Sequence, residues 1–166
     1  MLYSLDLAIF QFINQTCQNP VLDKLMPLVT KLGEGETLFF IACLLLFFPK
    51  IRRQGITLLA GLTVTFQVTR FIKHLVQRPR PFEVLSNVHL LTPEKNFSFP
   101  STHAAMAFMA TIILTSNLNK GWIKILGYFI AILVCVSRPY LAVHYPSDVF
   151  AGAILGLGIG WLLNKK

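Results

Sequence analysis

The chain has 166 residues, of which 54% are hydrophobic and only 13% charged, and its formal net charge is +8. This composition excludes an ordinary soluble core and indicates a single-domain integral membrane protein, residues 1–166. The basic residues interrupt apolar runs instead of lining one face, which excludes nucleic acid and favours anionic lipid head groups or a phosphate substrate as partner. Cys17, Cys43 and Cys135 lack metal-ligand spacing, so neither a disulfide framework nor a metal site is predicted.

The first 32 residues are predicted to form an interfacial N-terminal segment. Leu5, Ile9 and Phe12 fall on one face of a helix and Asp6 on another, which predicts an amphipathic helix in the membrane interface. A sixth span made from residues 1–18 remains an open alternative.

Residues 33–166 are predicted to form a helical core that carries the active site. Strand alternation is absent, and closed helices satisfy backbone polar groups in lipid, so the fold class is an all-α integral membrane helical bundle. About five transmembrane helices are expected, in addition to the N-terminal interfacial helix. The candidate spans are the apolar runs at about 36–49, 54–76, 103–118, 122–137 and 147–163.

The distribution of charge predicts the orientation of these spans. The connections at 49–54 and 117–124 and the C-terminal tail carry basic residues and no acid, so this side is expected to be cytoplasmic. The loops at 77–102 and 138–146 then face the periplasm or the exterior. In the last run, Gly152, Gly156 and Gly160 predict close packing against another helix.

Three cations are expected on the outward side. Lys73 lies near the end of the second span, Arg80 follows it, and Arg138 leaves the fourth span. They would repel one another unless an anion lay between them, and the planar fork of arginine suits a tetrahedral oxyanion such as phosphate. Pro100 and Ser101 signal a helix start, whose free amides also favour phosphate, and Ser101 adds a hydroxyl.

Two histidines and one carboxylate complete this group. His144 and Asp148 are four residues apart and would share a face if helical geometry extended back to His144. A carboxylate on one ring nitrogen leaves the other bare, and a bare imidazole beside phosphate is a nucleophile. His103 can protonate the departing oxygen and then activate water, so the residues predict phosphoryl transfer without a metal or other cofactor.

The same residues resemble the signature of the type 2 phosphatidic acid phosphatases, which reads K-x6-RP, then PSGH, then SR-x5-H-x3-D. The chain has Lys73-x6-Arg80-Pro81, then PSTH at 100–103, then SR at 137–138 followed by the spaced histidine and aspartate. The resemblance implies His144 as nucleophile, His103 as acid and base, and Asp148 as the residue that orients the nucleophile. It implies phosphate contacts from Lys73, Arg80, Ser101 and Arg138. Thr102 occupies the place of the signature glycine, where its main-chain amide still faces phosphate while its side chain could narrow the pocket.

The resemblance implies a multi-pass lipid phosphatase of the inner (plasma) membrane, and the distribution of charge predicts that its site faces the periplasm or exterior. Its expected partners are the bilayer and a lipid phosphate or diphosphate, with no obligate protein partner. Lipid A 1-phosphate and undecaprenyl diphosphate are favoured, and phosphatidylglycerol phosphate and phosphatidic acid are alternatives. The 82–99 loop is the expected region of substrate discrimination. Two other functions stay open: a lipid-to-lipid phosphotransferase, and a non-catalytic protein that binds or transports anionic lipids.

Overall fold

The computed structural model describes residues 2–165, and this part of the chain is all-helical, as the sequence predicts. A π-helical stretch, Phe12–Thr16, extends the first helix. The α-helices are α1 (Leu2–Gln11), α2 (Pro20–Lys31), α3 (Gly35–Leu46), α4 (Arg52–Val76), α5 (Pro81–Val84), α6 (Thr102–Thr115), α7 (Gly121–Tyr140) and α8 (Pro146–Asn164).

Each of the five predicted apolar runs corresponds to one of these helices, from α3 to α8 with the short α5 set aside. Three stretches are long and apolar enough to cross a membrane: Arg52–Val84, Gly121–Tyr140 and Pro146–Asn164. Helices α3 and α6 are shorter apolar helices. The membrane bundle is therefore confirmed, and the number of helices that cross the bilayer stays a prediction.

The N-terminal segment turns its polar residues towards the protein. In α1, Leu5 is 57% exposed, and Phe12 in the following π-helical turn is 59% exposed. Asp6 and Asn14, in contrast, are buried against the other helices. The outward apolar face fits contact with lipid, while the inward polar groups find hydrogen-bond partners in the protein.

Helix α6 packs closely against α8 because three glycines of α8 face it. A Cβ atom on Gly152 would lie 2.3 Å from the carbonyl oxygen of Ser101, and one on Gly156 would lie 2.1 Å from that of Ala105. Gly160 faces Ile112 one turn further along. The predicted close packing is thus confirmed, and it brings the start of α8 beside the start of α6.

Four helix ends meet at the end of the bundle where the predicted polar clusters lie. Helices α4 and α7 finish there, and α6 and α8 begin there. Arg138 lies inside the last turn of α7, which continues through Pro139 to Tyr140, so the expected loop at 138–146 is shorter than predicted. The basic residues at the start of α4, the start of α7 and the end of α8 lie at the opposite end.

Candidate active site

A cavity of about 750 Å³ opens at this end of the bundle. Five of the eight predicted site residues line it: Lys73, Arg80, Thr102, His103 and His144. The other three, Ser101, Arg138 and Asp148, are almost fully buried just behind this lining. The helix ends therefore gather residues that are up to 75 positions apart in the sequence around one space.

Lys73 and Arg80 are held by main-chain carbonyl groups, most of which belong to the loop that precedes α6. The Lys73 Nζ donates to the oxygens of Phe97 at 2.6 Å and Ser98 at 3.2 Å. Arg80 Nε donates to the oxygen of Asn96 at 2.7 Å, and its Nη1 donates to that of Val143 at 2.8 Å. Arg80 is only 2% exposed, so its guanidinium is fixed in place.

A carboxylate that the sequence did not single out joins the two arginines. Glu94 lines the cavity and pairs with Arg80 Nη2 at 3.0 Å and with Arg138 Nη2. Burial by itself would raise the pKa of Glu94, but the positive charges around it, that of Arg138 foremost, outweigh burial and hold the pKa at about 2. Glu94 is therefore an anion seated between two of the predicted phosphate ligands.

Arg138 is fixed from a second direction and keeps one donor available. Its Nη1 donates to the hydroxyl of Thr30 on α2. Its buried Nε has no hydrogen-bond partner within the part of the chain that the structure describes. A buried donor without an acceptor costs free energy.

His144 is 1% exposed, and its two ring nitrogens face different groups. Nε2 lies 3.4 Å from Arg80 Nη1, on the cation side of the site. Nδ1 lies 3.7 Å from Asp148 Oδ2 and 3.4 Å from the hydroxyl of Ser98. Burial, followed by the charges of Arg138, Arg80 and Lys73, lowers the pKa of His144 well below its usual value, so the imidazole is neutral.

The expected helical pairing of His144 with Asp148 is wrong in its geometry, although the two residues are neighbours. Helix α8 begins at Pro146, so His144 precedes it, and 3.7 Å is too long for a direct hydrogen bond. The Ser98 hydroxyl bridges them instead, since it donates to Asp148 Oδ2 at 2.5 Å and lies beside His144 Nδ1. The fully buried Asp148 also accepts from the amide of Tyr145 at 2.9 Å and from Arg78 at 2.6 Å.

The two hydroxyl residues at the start of α6 have local partners. Ser101 caps the helix by accepting a hydrogen bond from the amide of Ala104 at 3.4 Å, and its side chain is fully buried. Its own amide donates to the main-chain oxygen of Asp148 at 3.0 Å, which ties α6 to α8. Thr102 donates to the hydroxyl of Thr69 at 3.1 Å and lines the cavity beside it.

Other charged and aromatic side chains lie in or near the cavity. Arg70, His74 and Phe97 line the cavity, whereas His89 lies 3.2 Å from Asp23 of α2. Sequence reasoning missed Glu94 and Ser98, which lie in an irregular loop without a motif, and Arg78, whose signal was its place in the arginine–proline repeat RPRP. Within residues 2–165 no group of three or more His, Cys, Asp or Glu side chains could hold a metal ion.

The chain matches a known family over most of its helical core. A family model described as the PAP2 superfamily matches residues 54–165. The undecaprenyl-diphosphatase of Sulfolobus acidocaldarius is 34% identical over 158 residues, which cover 95% of this chain and 76% of that protein.

Two solved structures have the same fold. Aquifex aeolicus LpxE superposes with a TM-score of 0.81 at 32% identity, over 98% of this chain and 96% of that one. A transmembrane PAP2-type phosphatidylglycerolphosphate phosphatase from Bacillus subtilis superposes with a TM-score of 0.86 at 28% identity, over 98% of this chain and 84% of that one.

Proposed function

The chain belongs to the PAP2 superfamily and is a membrane lipid phosphatase, and on that premise we propose that it cleaves a lipid phosphate or diphosphate through a phosphohistidine on His144. The observation that carries the mechanism is the position of Glu94. Its carboxylate bridges Arg80 and Arg138, and Arg80 Nη1 lies 3.4 Å from Nε2 of His144. An oxyanion therefore already sits where the phosphate would bind.

The charges grouped around Glu94 suit a dianion. Lys73, Arg80 and Arg138 contribute three positive charges, and Glu94 is the acid that contacts the two arginines. A phosphate dianion that displaced Glu94 would gain the forks of both arginines and the neighbouring Lys73 ammonium. The unpartnered Nε of Arg138 would supply a further donor.

In the first chemical step, His144 Nε2 attacks phosphorus and the bond from phosphorus to the leaving oxygen breaks. His103, at the second position of α6, is protonated beside the bound phosphate dianion and donates this proton to that oxygen. The buried Asp148 and the Ser98 hydroxyl hold the opposite ring nitrogen, Nδ1, and stabilise the positive charge that develops on the imidazole.

In the second step, His103 takes a proton from a water molecule, whose oxygen attacks phosphorus. The phosphorus–nitrogen bond breaks, inorganic phosphate leaves, and His144 returns to its neutral state. The cations that bound the ground-state phosphate also neutralise the charge that spreads over its oxygens in the transition state. His103 thus acts as an acid in the first half of the reaction and as a base in the second.

The substrates to test first are cell-envelope lipids. Relatives of this chain are named for undecaprenyl diphosphate, the 4'-phosphate of lipid A and phosphatidylglycerophosphate, which supports testing phosphates of these lipids. The cavity opens beside Phe66 of α4 and Phe97 of the loop, so apolar side chains adjoin the phosphate site where a lipid would enter.

We propose further that the site faces the periplasm or exterior of the plasma membrane. Lys50, Arg52, Arg53, Lys120 and Lys124 lie at the other end of the bundle, where the positive-inside rule expects the cytoplasm. Cysteine labelling of single-site variants in intact cells would test this orientation.

Phosphate release from a panel of lipid phosphates and diphosphates in detergent tests the proposed activity. Wild-type protein should release inorganic phosphate, and His144→Ala should reduce release by at least about 1,000-fold because it removes the nucleophile. The variant should still bind lipid phosphate, whereas undiminished hydrolysis by it would exclude the mechanism. Transfer of phosphate to a second lipid without release would instead identify a phosphotransferase.

A further inference from the structure

Arg78 lies two residues before Arg80 and is outside the cavity lining, yet it contacts the residue that supports the nucleophile. Its Nη1 donates to Asp148 Oδ1 at 2.6 Å and to the Ser147 hydroxyl at 2.7 Å. Its Nη2 donates to Asp6 Oδ2 at 2.8 Å. One guanidinium therefore spans two carboxylates, of which Asp148 is fully buried and Asp6 is 9% exposed.

The main chain of Arg78 fixes the second support of the histidine. Its carbonyl oxygen accepts a hydrogen bond from the amide of Ser98 at 2.8 Å. The hydroxyl of Ser98 in turn donates to Asp148 and lies against His144 Nδ1. Arg78 thus places both groups that face Nδ1, one through its side chain and one through its backbone.

Asp6 connects this arrangement to the N-terminal helix α1. Its Oδ1 accepts from the amide of Ser147 at 2.8 Å, and its Oδ2 accepts from the Ser147 hydroxyl at 2.6 Å. Phe10, one turn later and fully buried, contacts the ring of Tyr145 with a centroid distance of 5.8 Å. The guanidinium carbon of Arg78 lies 4.0 Å from the centroid of the same Tyr145 ring.

We infer that Arg78, held by Asp6 of α1, is a positioning residue for the phosphoryl transfer: it fixes Asp148 and Ser98 against His144 and sets how strongly the carboxylate polarises the imidazole. The inference rests on the proposed function, because it assigns a support to the nucleophile named there. It also makes α1, which lies outside the family match at residues 54–165, part of the catalytic apparatus.

The physical basis is the sharing of one cation between two carboxylates. Arg78 neutralises part of the charge of Asp148, and Asp6 neutralises part of the charge of Arg78. Loss of Arg78 leaves Asp148 uncompensated, so protonation of His144 becomes easier. Loss of Asp6 leaves Arg78 free to compensate Asp148 fully, so protonation of His144 becomes harder.

The other charged and titratable groups around His144 are common to the wild type and all these variants, so they do not reverse the comparison. They lie on α4 and the segment after it, on the loop before α6, and on α6, α7 and α8: Lys73, Arg80, Glu94, His103, Arg138 and Asp148.

The test is the pH dependence of kcat/KM for Arg78→Gln and Asp6→Asn, measured as release of phosphate from farnesyl diphosphate in detergent. The acid limb should move to higher pH in Arg78→Gln, by about half a pH unit to one unit. It should move to lower pH in Asp6→Asn. Because the substrate is the same, its own ionisation is common to all the curves. A purely structural role would not move the limb in opposite directions.

The separation of kcat from KM is the second readout. Arg78→Gln should lower kcat by about 10–100-fold with KM changed by less than about threefold, since Arg78 supports the nucleophile from outside the cavity. Arg78→Lys, which keeps the charge and loses the fork, should keep the wild-type position of the acid limb while recovering only part of kcat.

Asp23→Asn is the matched control. Asp23 also anchors the N-terminal segment, through a hydrogen bond of 2.6 Å from the hydroxyl of Tyr140, but it does not contact Arg78 or Asp148. It should lower the melting temperature by an amount similar to Asp6→Asn and leave the acid limb unchanged. If Arg78→Gln does not fold, the acid limbs of kcat/KM and the kcat values of Asp6→Asn and Arg78→Lys still test the inference.

Parallel shifts in Arg78→Gln and Asp6→Asn, or unshifted limbs in both, would overturn the inference. A kcat loss in Asp6→Asn no larger than that in Asp23→Asn would overturn it as well. If His144→Ala is inactive, these contrary results would refute this inference and leave the proposed function standing. An active His144→Ala variant would show that the proposed function itself has failed.

Discussion

Substitution of Glu94 by glutamine should make the enzyme bind phosphate more tightly. In the structure, Glu94 pairs with Arg80 at 3.0 Å and with Arg138, so it competes with the substrate for the same two guanidinium groups. Glu94→Gln keeps the size of the side chain and removes its charge. A phosphate that enters the variant no longer has to displace an anion, and its apparent affinity should rise.

The size of the effect can be estimated from the pKa of Glu94. Its fall from 4.5 to about 2 corresponds to about 3 kcal/mol in favour of the ionised carboxylate in the site, at about 1.4 kcal/mol per pH unit. Glu94 is 27% exposed, and solvent screens part of this interaction. If phosphate binding to the variant gains about half of this free energy, ~1.5 kcal/mol, the inhibition constant for inorganic phosphate should fall roughly tenfold.

The assay follows the dephosphorylated lipid by chromatography, so that inorganic phosphate can be added as a competitive inhibitor. The inhibition constant should be about tenfold lower in Glu94→Gln at each pH between 5 and 8. Wild type should not approach the variant at the acid end, because a carboxyl with a pKa of about 2 stays ionised there. Glu36→Gln, which removes another carboxylate from the cavity wall, is the control and should bind phosphate as wild type does.

An unchanged or higher inhibition constant in Glu94→Gln would refute this reasoning. That result would make Glu94 a supporting residue that keeps the arginines in place, instead of a competitor for them. Convergence of wild type and variant near pH 5 would show that the arginines do not hold Glu94 ionised.

Three further outcomes are expected. Gly156→Ala should lower the melting temperature in detergent by several degrees, because the new Cβ would lie 2.1 Å from the Ala105 oxygen and overpacking costs about 1–3 kcal/mol. Gly158→Ala is the control: a Cβ there would have no atom within 4 Å, so this variant should keep the wild-type melting temperature. The wild-type melting temperature should fall as pH drops below 6.5, because His144 binds a proton in the unfolded chain but stays neutral when it is buried in the folded protein. A melting temperature that does not change from pH 7 to 5 would contradict this. Phosphate release should be unchanged by EDTA, because every proposed role belongs to a side chain, and loss of activity would indicate a metal.

The gathering of the predicted residues around one cavity followed from the sequence because topology alone requires it. Lys73 and Arg138 end apolar helices, while His103 and Asp148 lie in the first turns of others. Alternate connections of a helical bundle lie on the same side, so these residues meet wherever the helices pack. The glycines of α8 also indicated that the starts of α6 and α8 lie close together, because only glycine permits so close an approach of the two helices.

The residues that hold the predicted site residues in place could not be predicted from the sequence, for a physical reason. Glu94 and Ser98 lie in an irregular loop, where no periodicity relates a residue to the side on which its side chain points. Asp6 was placed on the polar face of an amphipathic helix, but a polar face is equally compatible with water and with a partner in the protein. The pairing of Asp6 with Arg78 and Ser147 depends on docking between distant segments, which local patterns do not encode.

The bond between Asp6 and Ser147 also has a consequence for biosynthesis. Its two partners are 141 residues apart, so α1 docks against a helix that is synthesised long after it. Until α8 has entered the bilayer, α1 has no docking site for its carboxylate and waits at the membrane surface, held by its outward apolar side chains. We therefore expect maturation to end in a single late closure, in which α8 arrives and α1 locks against it. We expect full hydrolytic activity only after this closure, because Asp6 contacts Arg78 and Ser147 beside the active site only then.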